Sequence, residues 1–152
     1  MKSALPKVLH PIAGRAMVER VLRTAAALNP ATTTLIVGHQ AAAVRDRLTG
    51  AYPHLHFAVQ QPQRGTAHAL QQAESVLSGR TGTLVLLSGD VPLLTSDTLR
   101  RLVDTHRAAS AAATVVTAVI ERPYGYGRIV RKDGRIARIV EERDASPTER
   151  QL

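Results

Sequence analysis

Apolar residues return along this 152-residue chain in two alternating rhythms. Between Ala16 and Leu28 they fall at Met17, Val21, Ala25 and Leu28, the spacing that lines one face of a helix. Asn29-Pro30 ends that helix, and the β-branched run Thr33 to Val37 predicts a short strand closed by Gly38-His39. Ala41 to Leu48 reads as a second helix, with Gly50 and Pro53 as breakers, and Leu55 to Gln60 as a second strand. Gln61-Pro62-Gln63-Arg64-Gly65 makes a turn, and Thr66 to Leu77 is helical, with Leu70, Ala73 and Leu77 on one face. Thr83 to Leu87 is apolar enough for a fully buried strand, which stops at Ser88-Gly89-Asp90 because Pro92 cannot continue it. Thr95 or Ser96 then caps a helix to about Ala109, striped by Leu99, Leu102, Val103 and His106, with Asp97 complementing its dipole. Ala113 to Ile120 predicts a long strand. Arg128-Ile129-Val130-Arg131 and Arg135 to Val140 predict a hairpin joined at Asp133-Gly134.

Strands alternating with helices imply βαβ crossovers, hence an α/β domain over residues 1–152 with a mostly parallel sheet and an antiparallel terminal hairpin. No internal repeat or dividing linker interrupts it. The start departs from the usual pattern: residues 2–14 form a loop-like lead punctuated by Pro6, Pro11 and Gly14, and the first regular element is a helix with no strand before it. An aspartate at the carboxyl end of a buried parallel strand lies on the edge where open α/β sheets bind ligands, which singles out Asp90.

Composition narrows the chemistry. There is no cysteine, so disulfides, thiolate metal sites and cysteine nucleophiles are excluded. No apolar run approaches the roughly 20 residues of a membrane span, and the N-terminus lacks the apolar core of a signal peptide, which predicts a cytoplasmic protein. The net charge of +8 suits a polyanionic partner, either a polyphosphate or a nucleic acid. Aromatics make up only 3% of the chain and the basic residues are scattered, which argues against single-stranded nucleic acid.

The remaining motifs carry more than one reading. Lys7, between Pro6 and Val8-Leu9, reads either as an exposed loop lysine or as a point charge beside a phosphate. Gly65-Thr66-Ala67-His68-Ala69 is a helix start whose free N–H groups could take a carbonyl or phosphate oxygen, and Gln60 ends the preceding strand with an amide that could read a pyrimidine. Asp90 is either a turn aspartate or the anchor of Mg²⁺, which needs only one or two carboxylates besides waters and phosphates. His54 and His56 would share a strand face, but two ligands are too few for zinc. Neither a G-x-S-x-G elbow nor a G-x-x-x-x-G-K-[ST] loop is present.

In order and spacing, five segments together resemble one family of sugar nucleotidyltransferases. They are Leu5-Pro6-Lys7-Val8-Leu9-His10, Gly65-Thr66-Ala67-His68-Ala69, Ser88-Gly89-Asp90-Val91-Pro92-Leu93, Tyr126-Gly127-Arg128-Ile129 and Ile139-Val140-Glu141-Glu142-Arg143-Asp144-Ala145. The resemblance is to the N-terminal domain of the bacterial bifunctional enzymes that pair N-acetylglucosamine-1-phosphate uridyltransferase with glucosamine-1-phosphate acetyltransferase. It covers essentially the whole chain, and the Tyr-Gly-Arg-Ile and Ile-Val-Glu segments narrow it to this branch.

The resemblance implies a Rossmann-like nucleotidyltransferase fold and the joining of UTP to N-acetylglucosamine 1-phosphate, giving UDP-N-acetylglucosamine and pyrophosphate for peptidoglycan and lipopolysaccharide precursors. By the same resemblance Lys7 lies near the phosphates, Gln60, Gly65 and Thr66 recognise the uracil, and Ser88-Gly89-Asp90 runs beside the ribose with Asp90 as a Mg²⁺ ligand. Gly127 and Glu141 match positions that contact the N-acetylglucosamine moiety. Ala67 stands where the motif commonly has glycine, and Ser88 where some members have tyrosine. The family's opening strand and glycine-rich loop, its later magnesium-binding asparagine and its β-helix acetyltransferase domain, on which a homotrimer largely depends, have no counterpart in these residues. The expectation is a chain clipped at both ends, which by itself does not turn over. A nucleotidyltransferase for another sugar 1-phosphate, and a basic non-catalytic nucleic-acid-binding domain, are the alternatives.

Overall fold

The computed structural model describes residue 3 and residues 5–152; Met1, Lys2 and Ala4, part of the loop-like lead, lie outside the described residues. The chain divides into two compact units, residues 1–114 and 115–152.

In the first unit a short turn, Lys7–Leu9, leads into a two-residue hairpin, β1 (Pro11–Ile12) with β2 (Arg15–Ala16). Ala13 and Gly14 turn it at φ of 47° and 75°. The Arg20 guanidinium clamps that hairpin by donating to the Ile12 carbonyl at 2.9 Å from Nε and 2.6 Å from Nη2. Helix α1 (Met17–Ala26) buries Val18, Val21 and Leu22, an i, i+3, i+4 set offset from the stripe expected through Met17 and Ala25. The offset brings Glu19 inside, where Arg47 holds its carboxylate at 3.3 Å.

Strands β3 (Thr33–Val37) and β4 (Leu55–Val59) pair in parallel from Thr33↔Leu55 to Val37↔Val59, joined by helix α2 (Ala41–Thr49). Gln60 extends the ladder by donating its N–H to the Val37 carbonyl at 2.8 Å. Val44 and Leu48, one turn apart, face inward from α2 and join Leu9, Ala16, Val18, Leu22 and Val37 in the core, with Leu35, Tyr52, Leu55 and Phe57 packed around them.

The helix expected over Thr66 to Leu77 is two pieces, α3 (Thr66–Gln71) and α4 (Glu74–Leu77). Between them Gln72 and Ala73 donate to carbonyls three residues back, Ala69 and Leu70, both at 3.0 Å, so the chain tightens and the helix breaks. Helix α5 (Ser96–Ala108) begins where the sequence places it: Thr95 Oγ1 accepts the Thr98 N–H at 3.2 Å, and Leu99 is fully buried. Thr95→Ala should lower the stability of this unit by about 1 kcal/mol, and Thr95→Ser should restore it, both read as urea midpoints.

Two expected strands are absent. Residues 83–87 and 113–120 enter no ladder; Leu84 and Leu86 are 55% and 51% exposed, and Val116 is 49% exposed. An apolar run specifies that burial is favourable, but a strand also needs a neighbour for its N–H and C=O groups, and neither run has one among the described residues. Of the expected mostly parallel sheet, the described residues form one parallel pair. The architecture observed is mixed α/β, with a parallel strand pair and two antiparallel hairpins.

The second unit holds the terminal hairpin, β5 (Arg128–Lys132) with β6 (Arg135–Val140), joined at Asp133-Gly134 as expected, with a bulge that shifts the register between Val130 and Arg131. Asp133 and Gly134 sit at φ of 51° and 75°, the left-handed pair that matches strand twist in a two-residue turn. Arg128, buried at the hairpin's open end, donates to the carbonyls of Tyr126 and Arg150 and stands 2.9 Å from the Glu142 carboxylate.

Candidate active site

Lys7 and Asp90 lie 83 residues apart in sequence, and the fold joins them: Lys7 Nζ donates to Asp90 Oδ2 at 2.6 Å. Local packing explains the meeting. The Lys7–Leu9 turn buries Leu9 in the core, and Val8 beside it lies against the backbone of Gly89, where an added Cβ would stand 3.4 Å from Val8 Cγ1 and 3.9 Å from Val18 Cγ2. Docking one segment on the other leaves Lys7 and Asp90 side by side, with side chains 60% and 37% exposed.

The hydrogen bond from Lys7 holds the Asp90 carboxyl below its ordinary value of 3.8; partial burial opposes this, and the Lys7 charge adds to it. At neutral pH the pair is thus an ammonium beside a carboxylate, open to solvent. Because folding lowers this pKa, the pair's contribution to stability is present above 3.8 and is lost as pH falls through the lower folded value. An NMR titration of the Asp90 carboxyl carbon should show a midpoint below 3.8, moving back toward 3.8 in Lys7→Met.

Gln60, Gly65 and Thr66 form a second cluster in the same unit. Gln60 leaves the carboxyl end of β4, and its Nε2 donates to the Gly65 carbonyl at 2.9 Å. Gly65 has φ 90° and ψ 179°, backbone that side-chain-bearing residues rarely adopt, and Thr66 opens α3 directly after it. Motif reasoning missed what else touches Gln60: His68 Nδ1 lies 3.1 Å from Gln60 Nε2, and Gln72 Nε2 lies 3.3 Å from His68 Nε2. Its only trace was the His68–Gln72 spacing of one helical turn. Ser88 and Gly89 directly precede Asp90 in the turn that Lys7 reaches.

Gly127 and Glu141 belong to the other unit and are brought together by its hairpin, Gly127 entering β5 as Glu141 leaves β6. A Cβ on Gly127 would stand 3.9 Å from Glu141 Oε2. A concavity of about 410 Å³, lined by Gly125, Glu141, Glu142 and Arg143, opens there. The larger concavity, about 520 Å³, is at the amino ends of β3 and β4 and holds His54 and His56 but none of the candidate residues. Volume alone does not make it a ligand site, which also needs convergent polar groups; Lys7 and Asp90 bring opposite charges together elsewhere in the same unit.

Among the described residues no three His, Cys, Asp or Glu side chains gather as a metal cluster. A single ionised carboxylate such as Asp90, here paired with Lys7, fits a hard cation that takes its other ligands from water and phosphate. No helix is long and apolar enough to cross a membrane among the described residues.

Curated relatives resemble the chain over nearly its whole length. It is 50% identical over 151 residues to the bifunctional protein GlmU of Prochlorococcus marinus MIT 9313, covering 99% of this chain and 34% of that one. GlmU of Synechococcus sp. CC9605 is also 50% identical, and GlmU of Geobacter metallireducens GS-15 is 48% identical, each over 99% of this chain and 33% and 32% of the relative. The chain thus spans about a third of the length of the curated relatives it matches. The family profile of the MobA-like NTP transferase domain matches residues 1–146, and the chain belongs to that family.

Proposed function

We propose that residues 1–152 form part of a uridyltransferase domain that joins UTP to N-acetylglucosamine 1-phosphate, releasing pyrophosphate and UDP-N-acetylglucosamine for cell-wall precursor synthesis. The observation that carries this reading is the Lys7–Asp90 pair at 2.6 Å, a cation and an anion held together on the motif residues of a nucleotidyltransferase. Identity near 50% to GlmU proteins over nearly the whole chain supports the choice of reaction. The underlying layout would be the Rossmann-like nucleotidyltransferase fold, in a cytoplasmic protein whose full-length form would assemble as a homotrimer.

The chemistry asks little of acid–base groups. The attacking oxygen of a sugar 1-phosphate is already anionic at neutral pH, so no general base is needed, and catalysis rests on in-line positioning and charge neutralisation. Lys7 supplies a fixed positive charge beside the reacting phosphates. Asp90 would hold Mg²⁺, which when bound neutralises the triphosphate. Gln60, Gly65 and Thr66 hold the uracil, Ser88 and Gly89 run beside the ribose, and Gly127 with Glu141 takes the sugar.

Isothermal titration tests the reading. Residues 1–152 should bind UTP more tightly with Mg²⁺ than without it, and more tightly than CTP or GTP. Salt-dependent binding of DNA or RNA without UTP binding would overturn it in favour of a basic nucleic-acid-binding domain. Equal use of other sugar 1-phosphates by a longer protein that carries these residues, measured as pyrophosphate release, would move the assignment to another nucleotidyltransferase.

A further inference from the structure

We infer that His68 is a positioning residue that fixes which face of the Gln60 amide meets the base, and so makes the site prefer uracil to cytosine. The inference rests on the reading of Gln60 as a uracil contact and goes on to how that contact is oriented.

The direction of the Gln60 amide follows from its neighbours. The Gly65 carbonyl oxygen can only accept, and it lies 2.9 Å from Gln60 Nε2; turning the amide over would set two oxygens against each other. The same nitrogen is 3.1 Å from His68 Nδ1. With one hydrogen committed to Gly65, its second points to the imidazole, so Nδ1 must accept and the ring proton belongs on Nε2. On the far side Gln72 Nε2 donates to the His68 carbonyl at 3.1 Å and stands 3.3 Å from the ring's Nε2. A neutral imidazole accepts at one nitrogen only; with Nδ1 accepting, the 3.3 Å approach of Gln72 Nε2 to the ring's Nε2–H is not a hydrogen bond, and the His68 carbonyl is the acceptor that holds Gln72. The Gly65 carbonyl also accepts the Ala69 N–H at 3.0 Å, so it is a shared anchor and the second one, at His68, matters.

Both hydrogens of Gln60 Nε2 are thereby spent within the protein, and Oε1 is the atom the side chain presents to a ligand. Uracil carries an N3–H donor at the middle of its pairing edge, whereas cytosine has a bare N3 lone pair there. A fixed acceptor therefore bonds uracil and repels cytosine in the same register. A freely turning amide would serve both. His68 does not touch the base; it removes that freedom. Fixed orientation is how a polar site rejects a ligand of nearly equal shape.

The experiment compares UTP and CTP binding, with Mg²⁺, to the unaltered chain and to His68→Ala, His68→Asn and Gln60→Ala. Asparagine keeps an acceptor near the position of Nδ1. His68→Ala should raise the UTP Kd and cut the UTP-over-CTP preference, each by about fivefold to tenfold, the effect of one neutral hydrogen bond, and His68→Asn should recover most of both. Nitrogen NMR of the His68 ring in the nucleotide-free protein should find the proton on Nε2. An unchanged base preference in His68→Ala, or a proton on Nδ1, would overturn the inference. If Gln60→Ala loses UTP while His68→Ala binds it with the original preference, only the role of His68 falls. If neither substitution alters UTP binding, the uracil assignment of Gln60 falls with it.

Discussion

Asp90→Ala should erase the tightening of UTP binding by Mg²⁺, at least a tenfold effect in Kd, while leaving Mg²⁺-free UTP binding unchanged or slightly stronger. The asymmetry is the informative part. Asp90 is an anion, so against a bare triphosphate its removal relieves repulsion; only through a bound cation does the carboxylate favour the nucleotide. Lys7→Met should behave in the opposite way and weaken UTP both with and without Mg²⁺, since in the proposed site its charge meets phosphate directly. In a longer protein that carries these residues and is active, formation of UDP-N-acetylglucosamine should fall by about 10²–10³-fold with either change, the scale of losing one fixed charge at a reacting centre. Both variants should remain folded. An ion pair between side chains 60% and 37% exposed contributes only about 0–1 kcal/mol to stability. If Mg²⁺ tightened UTP binding equally in Asp90→Ala, the metal role of this residue would be wrong.

The largest loss of stability should come from Leu48→Ala, about 3–4 kcal/mol and a fall in Tm of roughly 10 °C. Leu48 is fully buried in α2 and closes the cluster of Leu9, Val18, Leu22, Val37 and Val44, where the helix meets the parallel strand pair. Its carbonyl also accepts from the N–H groups of Ala51 at 3.1 Å and Tyr52 at 2.9 Å, so the chain turns toward β4 from this point and has little freedom to collapse into a void. Leu48→Met, which keeps the volume, should cost less than about 1.5 kcal/mol. A cost below about 1 kcal/mol for the alanine variant, measured by urea unfolding, would mean that the cluster repacks.

Much of this was legible in the residues. Periodicity located α1, α2, α5, β3 and β4 to within a residue or two, and Asp133-Gly134 located the turn of the terminal hairpin, though not its bulge at Val130-Arg131. Of the two cap candidates, Thr95 and Ser96, Thr95 is the one that serves. Local signals succeeded where the determinants are local. The runs 83–87 and 113–120 failed because pairing belongs to a neighbour and not to the run itself, and β1–β2 was missed because two residues per strand are too few to show a period. The site divides in the same way. The motif residues stood out by type and spacing, but that Lys7 reaches Asp90 depends on Val8 docking against Gly89, a contact across most of the first unit. His68 looked like an ordinary residue of a helix start until its ring was seen beside Gln60.

The two unpaired runs have a consequence for how the protein behaves in concentrated solution. Neither Thr83 to Leu87 nor Ala113 to Ile120 contains a charge or a proline, and both display large apolar side chains. Such segments are the raw material of intermolecular cross-β stacking, in which one molecule's backbone satisfies another's. What opposes it here is colloidal: a net charge of +8, and Arg80, Asp90, Arg107 and the Glu121-Arg122 pair flanking the runs as gatekeepers. Added salt screens that repulsion and leaves the apolar attraction intact, so the ionic strength that weakens phosphate binding also brings these molecules together.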